Sequence, residues 1–134
     1  MHGMKSVGVA LWFAFWVAIA SAHAQQSEFP FDGELILDVD PMPGSKRIPY
    51  MDIAPTGAIA LQMWCNRVSG QVVVAGDTIT VITGTPSELE CPPERAQGDA
   101  DLLAALGQVT NWRREGDYVT LIGPKPLRFR LPTN

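Results

Sequence analysis

Short apolar runs, several of them alternating with polar positions, recur along most of the chain and predict a mainly β structure. The first run, at 34–40, leads into a connection at 41–49 that is rich in proline, which lacks the N–H group that a strand ladder needs. Strand character resumes at 49–53 and again at 58–64, where AIALQMW continues to Cys65. These runs predict the first three strands of a sheet.

The middle of the chain predicts consecutive hairpins. Residues 66–70 predict a turn, because asparagine tolerates the left-handed region and the serine and glycine at 69–70 supply a second break. A strand at 71–74 then precedes a turn at 75–77, and the run TITVIT at 78–83 predicts a further strand because β-branched residues dominate it.

A helical period occurs once in the second half of the chain. Leu102, Leu103, Leu106 and Val109 recur at helix spacing, and Asp99 is an N-cap residue type at the start of this pattern. The pattern therefore predicts one short amphipathic helix that begins at Asp99.

The last part of the chain returns to strands. Runs at 111–114, 118–122 and 127–131 are separated by turns at 115–117 and 123–124, and in the last run apolar and basic residues alternate, so that one face is apolar and the other basic. The whole pattern predicts a mainly β (α+β) fold, a barrel-like, curved antiparallel sheet of short strands whose opening is covered by one short helix.

The first 24 residues have the order of parts that is typical of a secretory signal peptide. A basic start at 1–5 precedes an uninterrupted apolar run at 7–20, and Ala22 and Ala24 form an A-x-A cleavage site. The alternative is an uncleaved membrane anchor, but the run is shorter than the ~20 residues that span a bilayer. We expect removal of 1–24, which leaves one periplasmic or secreted domain that meets the membrane only during export.

Cleavage would change the chemistry that the chain offers. His2 and His23 are the only histidines, so residues 25–134 contain no imidazole for Ser-His-Asp or Cys-His catalysis or for zinc binding. Loss of Lys5 would leave 9 basic against 14 acidic residues, a formal charge of −5 compared with −4 for the full chain. An acidic chain of this kind argues against a nucleic-acid partner.

Several short motifs follow one another between about residues 63 and 131. They are Cys65-Asn66-Arg67 with Gly70, Gly76-Asp77, Cys91-Pro92, the acidic helix start before Leu102, and the hairpin from Gly116-Asp117 to Leu121. In this order and spacing, the motifs resemble the META domain (HslJ-like) family. Gln62-Met63-Trp64 stand where the family commonly has glycines, which marks a divergent member. The resemblance implies a small barrel-like domain of the bacterial envelope, linked to stress or antibiotic tolerance, without an established enzymatic activity.

The two cysteines, Cys65 and Cys91, both survive cleavage of the signal peptide. Because an exported chain meets an oxidising compartment, we expect a disulfide bond between them, which would be worth on the order of 3 to 4 kcal/mol. Buried free thiols and a redox-active or metal-bound pair are the alternatives, although the chain has no CxxC motif.

Four residues are candidates for contacts with a partner or ligand: Trp64, Asn66, Arg67 and Trp112. Asn66 also suits a turn, and Arg67 is expected to be solvated, to cap a carboxylate or to bind a ligand. Trp64 suits a barrel mouth and Trp112, beside the arginines at 113–114, suits an aromatic and cationic edge; core packing is the alternative for both. The sequence predicts no catalytic, cofactor-binding or metal-binding residue.

Carboxylates are the remaining candidates for catalysis. Glu88 and Glu90 would share a face of an extended segment, while Asp99 and Asp101 are expected at the helix start, where the dipole favours negative charge. Spacing along the chain does not show the matched separation that a glycosidase pair needs. Solvation in a loop and at a helix terminus is therefore the expected state of all four.

Three functions fit these predictions. The first is a non-enzymatic envelope domain that acts through contacts with an unknown envelope protein or other envelope components. The second is a β-barrel for a small apolar ligand, with a cavity lined by residues such as Trp64, Ile79, Val81 and Phe129. The third is an inhibitor of an envelope hydrolase, for which the proline-rich segment at 41–49 would supply the exposed rigid loop. No cofactor is expected.

Overall fold

Eight antiparallel strands close into a barrel in the computed structural model, which describes residues 3, 8–16 and 28–133. Each strand pairs with the next in chain order, and the last strand pairs with the first. The mainly β, barrel-like fold with one helix is thus confirmed. The elements are β1 (Gly33–Leu37), β2 (Tyr50–Ile53), β3 (Ala58–Gln62), β4 (Arg67–Ala75), β5 (Thr78–Thr83), α1 (Pro93–Gly107), β6 (Asn111–Glu115), β7 (Tyr118–Ile122) and β8 (Leu127–Arg130).

Much of the predicted N-terminal segment lies outside the described residues, including the cleavage site at Ala22 and Ala24. The described part of the apolar run, 8–16, has exposed side chains. Among the residues that the structure describes, no helix has the length and apolar character needed to cross a membrane.

The turn predicted at 66–70 is wrong, because β4 already begins at Arg67. The chain reverses more tightly than predicted: the backbone N–H of Met63 donates to the carbonyl of Asn66 (2.9 Å), and Gln62 pairs with Arg67. Gly70 lies within the strand, where an added Cβ would overlap the carbonyl oxygen of Ile82. This glycine permits a close approach of β4 and β5 instead of a turn.

The predicted start of the helix at Asp99 is also wrong. The helix begins at Pro93, with Pro92 at its N-cap position, because proline at the first turn has a suitable φ and no N–H that requires a partner. Asp99 therefore lies in the middle of α1, on the same buried face as Leu102 and Leu106. The register pairs β5 with β6 at one position only, and α1 connects these two strands and packs against β5.

Apolar side chains fill the interior of the barrel. An eight-stranded barrel is just wide enough for its own inward-facing side chains, and here these form one continuous cluster. The four residues expected to line a ligand cavity, Trp64, Ile79, Val81 and Phe129, all belong to this cluster and are at most 9% exposed. They pack in the core of the barrel and do not line an open cavity.

Candidate functional site

A disulfide bond joins Cys65 and Cys91, as predicted, with the two Cα atoms 6.1 Å apart. The bond connects the turn after β3 to the segment that enters α1. It uses both cysteines of the chain, so neither is a free thiol in this structure. In the chain-entropy model, the closure of a loop with a sequence separation of 26 stabilises the fold by about 3.5 kcal/mol.

Asp99 adds a second connection between the same two regions. Its carboxylate, 5% exposed, accepts the backbone N–H of Cys65 at 3.1 Å and that of Asn66 at 2.7 Å. The prediction that Asp99 is solvated at a helix start is therefore wrong, because the helix begins six residues earlier. From the middle of α1, the Asp99 carboxylate instead accepts two charge-assisted hydrogen bonds that hold the turn between β3 and β4 against the helix.

Asn66 and Trp64, two of the predicted contact residues, are engaged inside the protein. The Asn66 side chain accepts hydrogen bonds from the Ser87 hydroxyl (3.0 Å) and the Leu89 N–H (2.8 Å). Trp64, 9% exposed, lies against the helix at Gly98, where an added Cβ would come within 2.6 Å of the indole. Core packing is thus the state of Trp64, and both side chains support the region of the disulfide bond.

Arg67 is exposed on the outer face of the barrel and does not cap a carboxylate among the described residues. Its Nε donates instead to Oε1 of Gln62 at 2.9 Å. Gln62 is only 9% exposed, and its Nε2 donates to the carbonyls of Met63 (3.2 Å) and Asn66 (3.3 Å), which fixes the orientation of the amide. Sequence reasoning missed this role of Gln62, since nothing in the local pattern shows what the amide contacts.

A depression of about 380 Å³ lies beside Arg67, and we call it the polar trough. Its walls and floor are on β2, β3, β4 and the segment after β5. It is lined by Tyr50, Asp52, Ala60, Leu61, Gln62, Arg67, Val68, Ser69, Gly84 and Thr85.

A second depression, of about 810 Å³, lies at Trp112, and we call it the aromatic groove. The indole Nε1 donates to the carbonyl of Gly76 at 2.8 Å, which fixes the ring. The ring of Phe29 meets the indole edge-on, with the ring centroids 5.3 Å apart, and Phe31 meets Phe29 at 5.0 Å. Such pairs add about 0.5–1.5 kcal/mol beyond burial. The groove is lined by Glu28, Phe29, Phe31, Val74, Gly76, Asp77, Trp112, Arg113 and Arg114.

The predicted association of Trp112 with two arginines is present in the groove. Arg114 is held in place, because its Nη1 donates to the carbonyl of Glu28 (3.2 Å) and its Nε to that of Gly116 (3.1 Å). Arg113 forms an ion pair with Glu115 at 2.9 Å, in which both side chains are largely exposed. An exposed pair of this kind contributes little to stability, so Arg113 remains available to a partner.

The four predicted contact residues therefore do not form one site. Arg67 begins β4, whereas the aromatic groove lies at the other end of that strand, eight residue steps or roughly 27 Å away. Phe29 and Phe31 are the groove residues that sequence reasoning missed. Their aromatic character is visible in the sequence, but the contact of Phe29 with Trp112 joins residues 83 positions apart in the chain.

The chain resembles known proteins in sequence and in fold. A family model described as META domain matches residues 27–131. An NMR structure of a protein has 20% identity and a TM-score of 0.58, and the match covers 75% of this chain and 89% of that one. An NMR structure of a protein from Burkholderia xenovorans has 15% identity and a TM-score of 0.63, with 78% and 84% covered. Identities this low support the fold alone. No curated protein matches the chain.

Proposed function

Because this chain belongs to the META domain family, we propose that it is an exported, non-enzymatic domain of the cell envelope that acts by binding a partner protein. The observation that carries the proposal is the aromatic groove on the outside of a barrel whose interior is filled. A role in stress or antibiotic tolerance, implied by the family resemblance, would then depend on this contact.

The groove combines the residue types that dominate protein interfaces. Aromatic residues and arginine are enriched at interfaces, and they supply most of the residues whose truncation weakens binding strongly. Here Trp112 is half-buried, Phe31 is 41% exposed, and Arg113 stands at the rim. A partner segment that covers the exposed parts of the Phe31 and Trp112 rings with an apolar side chain would desolvate both rings.

The charge distribution supports an acidic partner. Residues 111–131 contain five basic and two acidic residues, a formal charge of +3, while residues 25–110 contain four basic and twelve acidic residues, a formal charge of −8. Three lining residues of the groove, Trp112, Arg113 and Arg114, belong to this basic segment, while Glu28 and Asp77 on the groove are acidic. Complementary charge would steer an acidic partner toward the basic segment and raise the association rate.

Export and the lack of an enzymatic activity rest on the sequence, with support from one structural feature. The order of parts in 1–24 is that of a signal peptide, and residues 25–134 contain no histidine. The Cys65–Cys91 disulfide supports export, because such bonds persist in oxidising compartments.

The partner contact can be tested with a photo-crosslinking amino acid that carries a benzophenone group. Placed at Phe31 in the groove, it is expected to give a specific adduct in intact cells, and at the matched position Ile82, which is apolar and 56% exposed on β5, it is expected to give none. Arg113→Glu should weaken the adduct from position 31. Equal adducts from both positions, or none from position 31, would contradict the proposal.

A small apolar ligand is the second candidate for the same groove. A volume of about 810 Å³ is within the range of small-molecule sites, and Phe29, Val74 and Trp112 supply apolar walls. A titration with the apolar dye anilinonaphthalene sulfonate would then show saturable energy transfer from tryptophan, strongly reduced in Trp112→Phe, in which Trp64 is the remaining donor within residues 25–134. Saturable dye binding without a crosslinked protein would favour this second candidate.

The hydrolase-inhibitor alternative depends on the loop at 41–49. The structure anchors this loop at two points, since Arg95 Nη2 donates to the carbonyl of Gly44 (3.2 Å) and Arg47 Nη1 donates to that of Cys65 (3.3 Å). An anchored, exposed loop is what a rigid inhibitor would need. Inhibition of a purified envelope hydrolase that is lost when Pro43 is replaced by glycine would support it.

A further inference from the structure

The polar trough owes its shape to small residues in a sheet surface that otherwise carries larger side chains. Ala60 and Ser69 are direct partners on β3 and β4, and Gly84 follows, with its N–H donating to the carbonyl of Ser69 at 2.8 Å. The next row of outward-facing residues across the three strands consists of Tyr50 on β2, Gln62 on β3 and Arg67 on β4. The small residues thus form the floor of the trough and the larger ones form a wall.

Arg67 is held in a defined position at one end of the trough. Two backbone carbonyls fix the amide of the buried Gln62, so that its oxygen faces the Nε of Arg67. Within residues 28–133, no hydrogen bond or ion pair uses the two terminal nitrogens of this arginine. An oriented guanidinium group with free terminal nitrogens suits an oxyanion such as a carboxylate.

Asp52 supplies the opposite charge. It pairs with Ala60 in the register, on the same outer face as Ser69 and one row away from Arg67. Its carboxylate makes no hydrogen bond or ion pair within residues 28–133, and the same holds for the hydroxyl groups of Tyr50 and Thr85. The trough therefore presents a cation, an anion and two hydroxyl groups along one depression.

These observations lead us to propose that the polar trough is a second binding site, whose ligand is a small zwitterion of the short-peptide class. The ligand's carboxylate binds Arg67 and its ammonium group binds Asp52. The two strands that carry these residues are about 10 Å apart and the residues are offset by about 7 Å, so their Cα atoms are roughly 12 Å apart. Once both side chains reach inward, the space suits a dipeptide of about 7 Å in extended form. A dianion such as phosphate would be repelled by Asp52.

The proposal can be tested by ¹H–¹⁵N NMR titration of the oxidised domain 25–134 with the dipeptide alanyl-alanine. A ligand of this size on an open surface is expected to bind with a dissociation constant in the millimolar range, and the shifts should concentrate at Ala60, Ser69, Gly84 and Thr85. Acetate and ethylammonium, which carry one charge each, should bind at least about tenfold more weakly.

Substitutions at Arg67 and Asp52 test whether these two residues bind the charged groups of the ligand. Arg67→Met should weaken dipeptide binding at least about tenfold, and so should Asp52→Asn, which is exposed and preserves the side-chain volume. Lys46→Met, which removes an exposed cation outside the trough, is the control and should change nothing. Each variant's own spectrum checks its fold. Shifts that do not saturate, equal binding of acetate, or unchanged binding by either Arg67→Met or Asp52→Asn would overturn the proposal.

Discussion

The carboxylate of Asp99 is expected to be a major source of stability, because it connects α1 to the turn between β3 and β4. It accepts two backbone N–H groups, from Cys65 and Asn66, and only 5% of the residue is exposed. Asp99→Ala removes both hydrogen bonds and leaves two donors without their acceptor. The turn that positions the disulfide bond would then lose its non-covalent contact with the helix.

The cost of Asp99→Ala follows from these two hydrogen bonds. A hydrogen bond to a charged group contributes about 1.5–3 kcal/mol, and Cys65 and Asn66 are half-buried, so water can replace part of each interaction. We expect the free energy of unfolding to fall by about 3 kcal/mol, which corresponds to a decrease in Tm of about 10–15 °C for a domain of this size. Asp99→Asn retains one acceptor oxygen and should lose about half as much.

Thermal and denaturant unfolding, followed by circular dichroism on the oxidised protein, would measure this change. Asp101→Ala is the matched control on the same helix: Asp101 is exposed and accepts one hydrogen bond, from Gln97 Nε2 at 2.8 Å, so its loss should cost less than about 0.5 kcal/mol. If Asp99→Ala destabilised the protein no more than Asp101→Ala, the role assigned to Asp99 would be refuted.

Three further changes test other parts of the fold. Replacing both Cys65 and Cys91 by serine should lower the free energy of unfolding by about 3–4 kcal/mol in denaturant titrations, and a cost below about 1 kcal/mol would contradict the stabilising role. Gly70→Ala should leave the protein largely insoluble or unfolded, because the added Cβ would overlap the Ile82 carbonyl; a native spectrum would argue against the close strand approach. Gly107→Ala, in open space at the end of α1, should raise the unfolding free energy by up to about 1 kcal/mol, and a loss would be unexpected.

The strands that the sequence predicted best are those whose pattern is local. The β-branched run at 78–83 and the alternating run at 118–122 begin and end where predicted. The turns before them contain Gly76 and Gly116, whose φ values of 60° and 59° fit residues chosen for the left-handed region. In these hairpins, the backbone conformation that the local sequence favours is the same as the conformation that the barrel requires. Alternation and turn residues were therefore sufficient to predict them.

The wrong predictions fall where a residue acts across the fold. Gly70 resembles a turn residue in sequence, but its lack of a side chain serves the approach of another strand. Asp99 resembles an N-cap, but its acceptor capacity is used by a turn more than 30 residues earlier in the chain. Proline at 92–93, which does mark a helix start, was the signal that would have placed the helix correctly.

The candidate sites were predictable only in part. Trp112 and its neighbouring arginines were predicted as an aromatic and cationic edge because they are adjacent in sequence. The contribution of Phe29 and the orientation of Arg67 by Gln62 depend on contacts made after folding. Sequence therefore indicated chemistry at single positions, while the grouping of those positions into a groove and a trough required the barrel.

We propose that this chain is exported and that the exported protein carries the Cys65–Cys91 disulfide. Both parts of the proposal are tested by the intact mass of the protein from the periplasmic fraction, with and without a reductant before thiol alkylation. We expect a chain that begins at Gln25, with cysteines that alkylate only after reduction. A chain that retains residues 1–24 would show that the signal peptide is not removed, and cysteines that alkylate without reduction would show that the disulfide does not form in the cell.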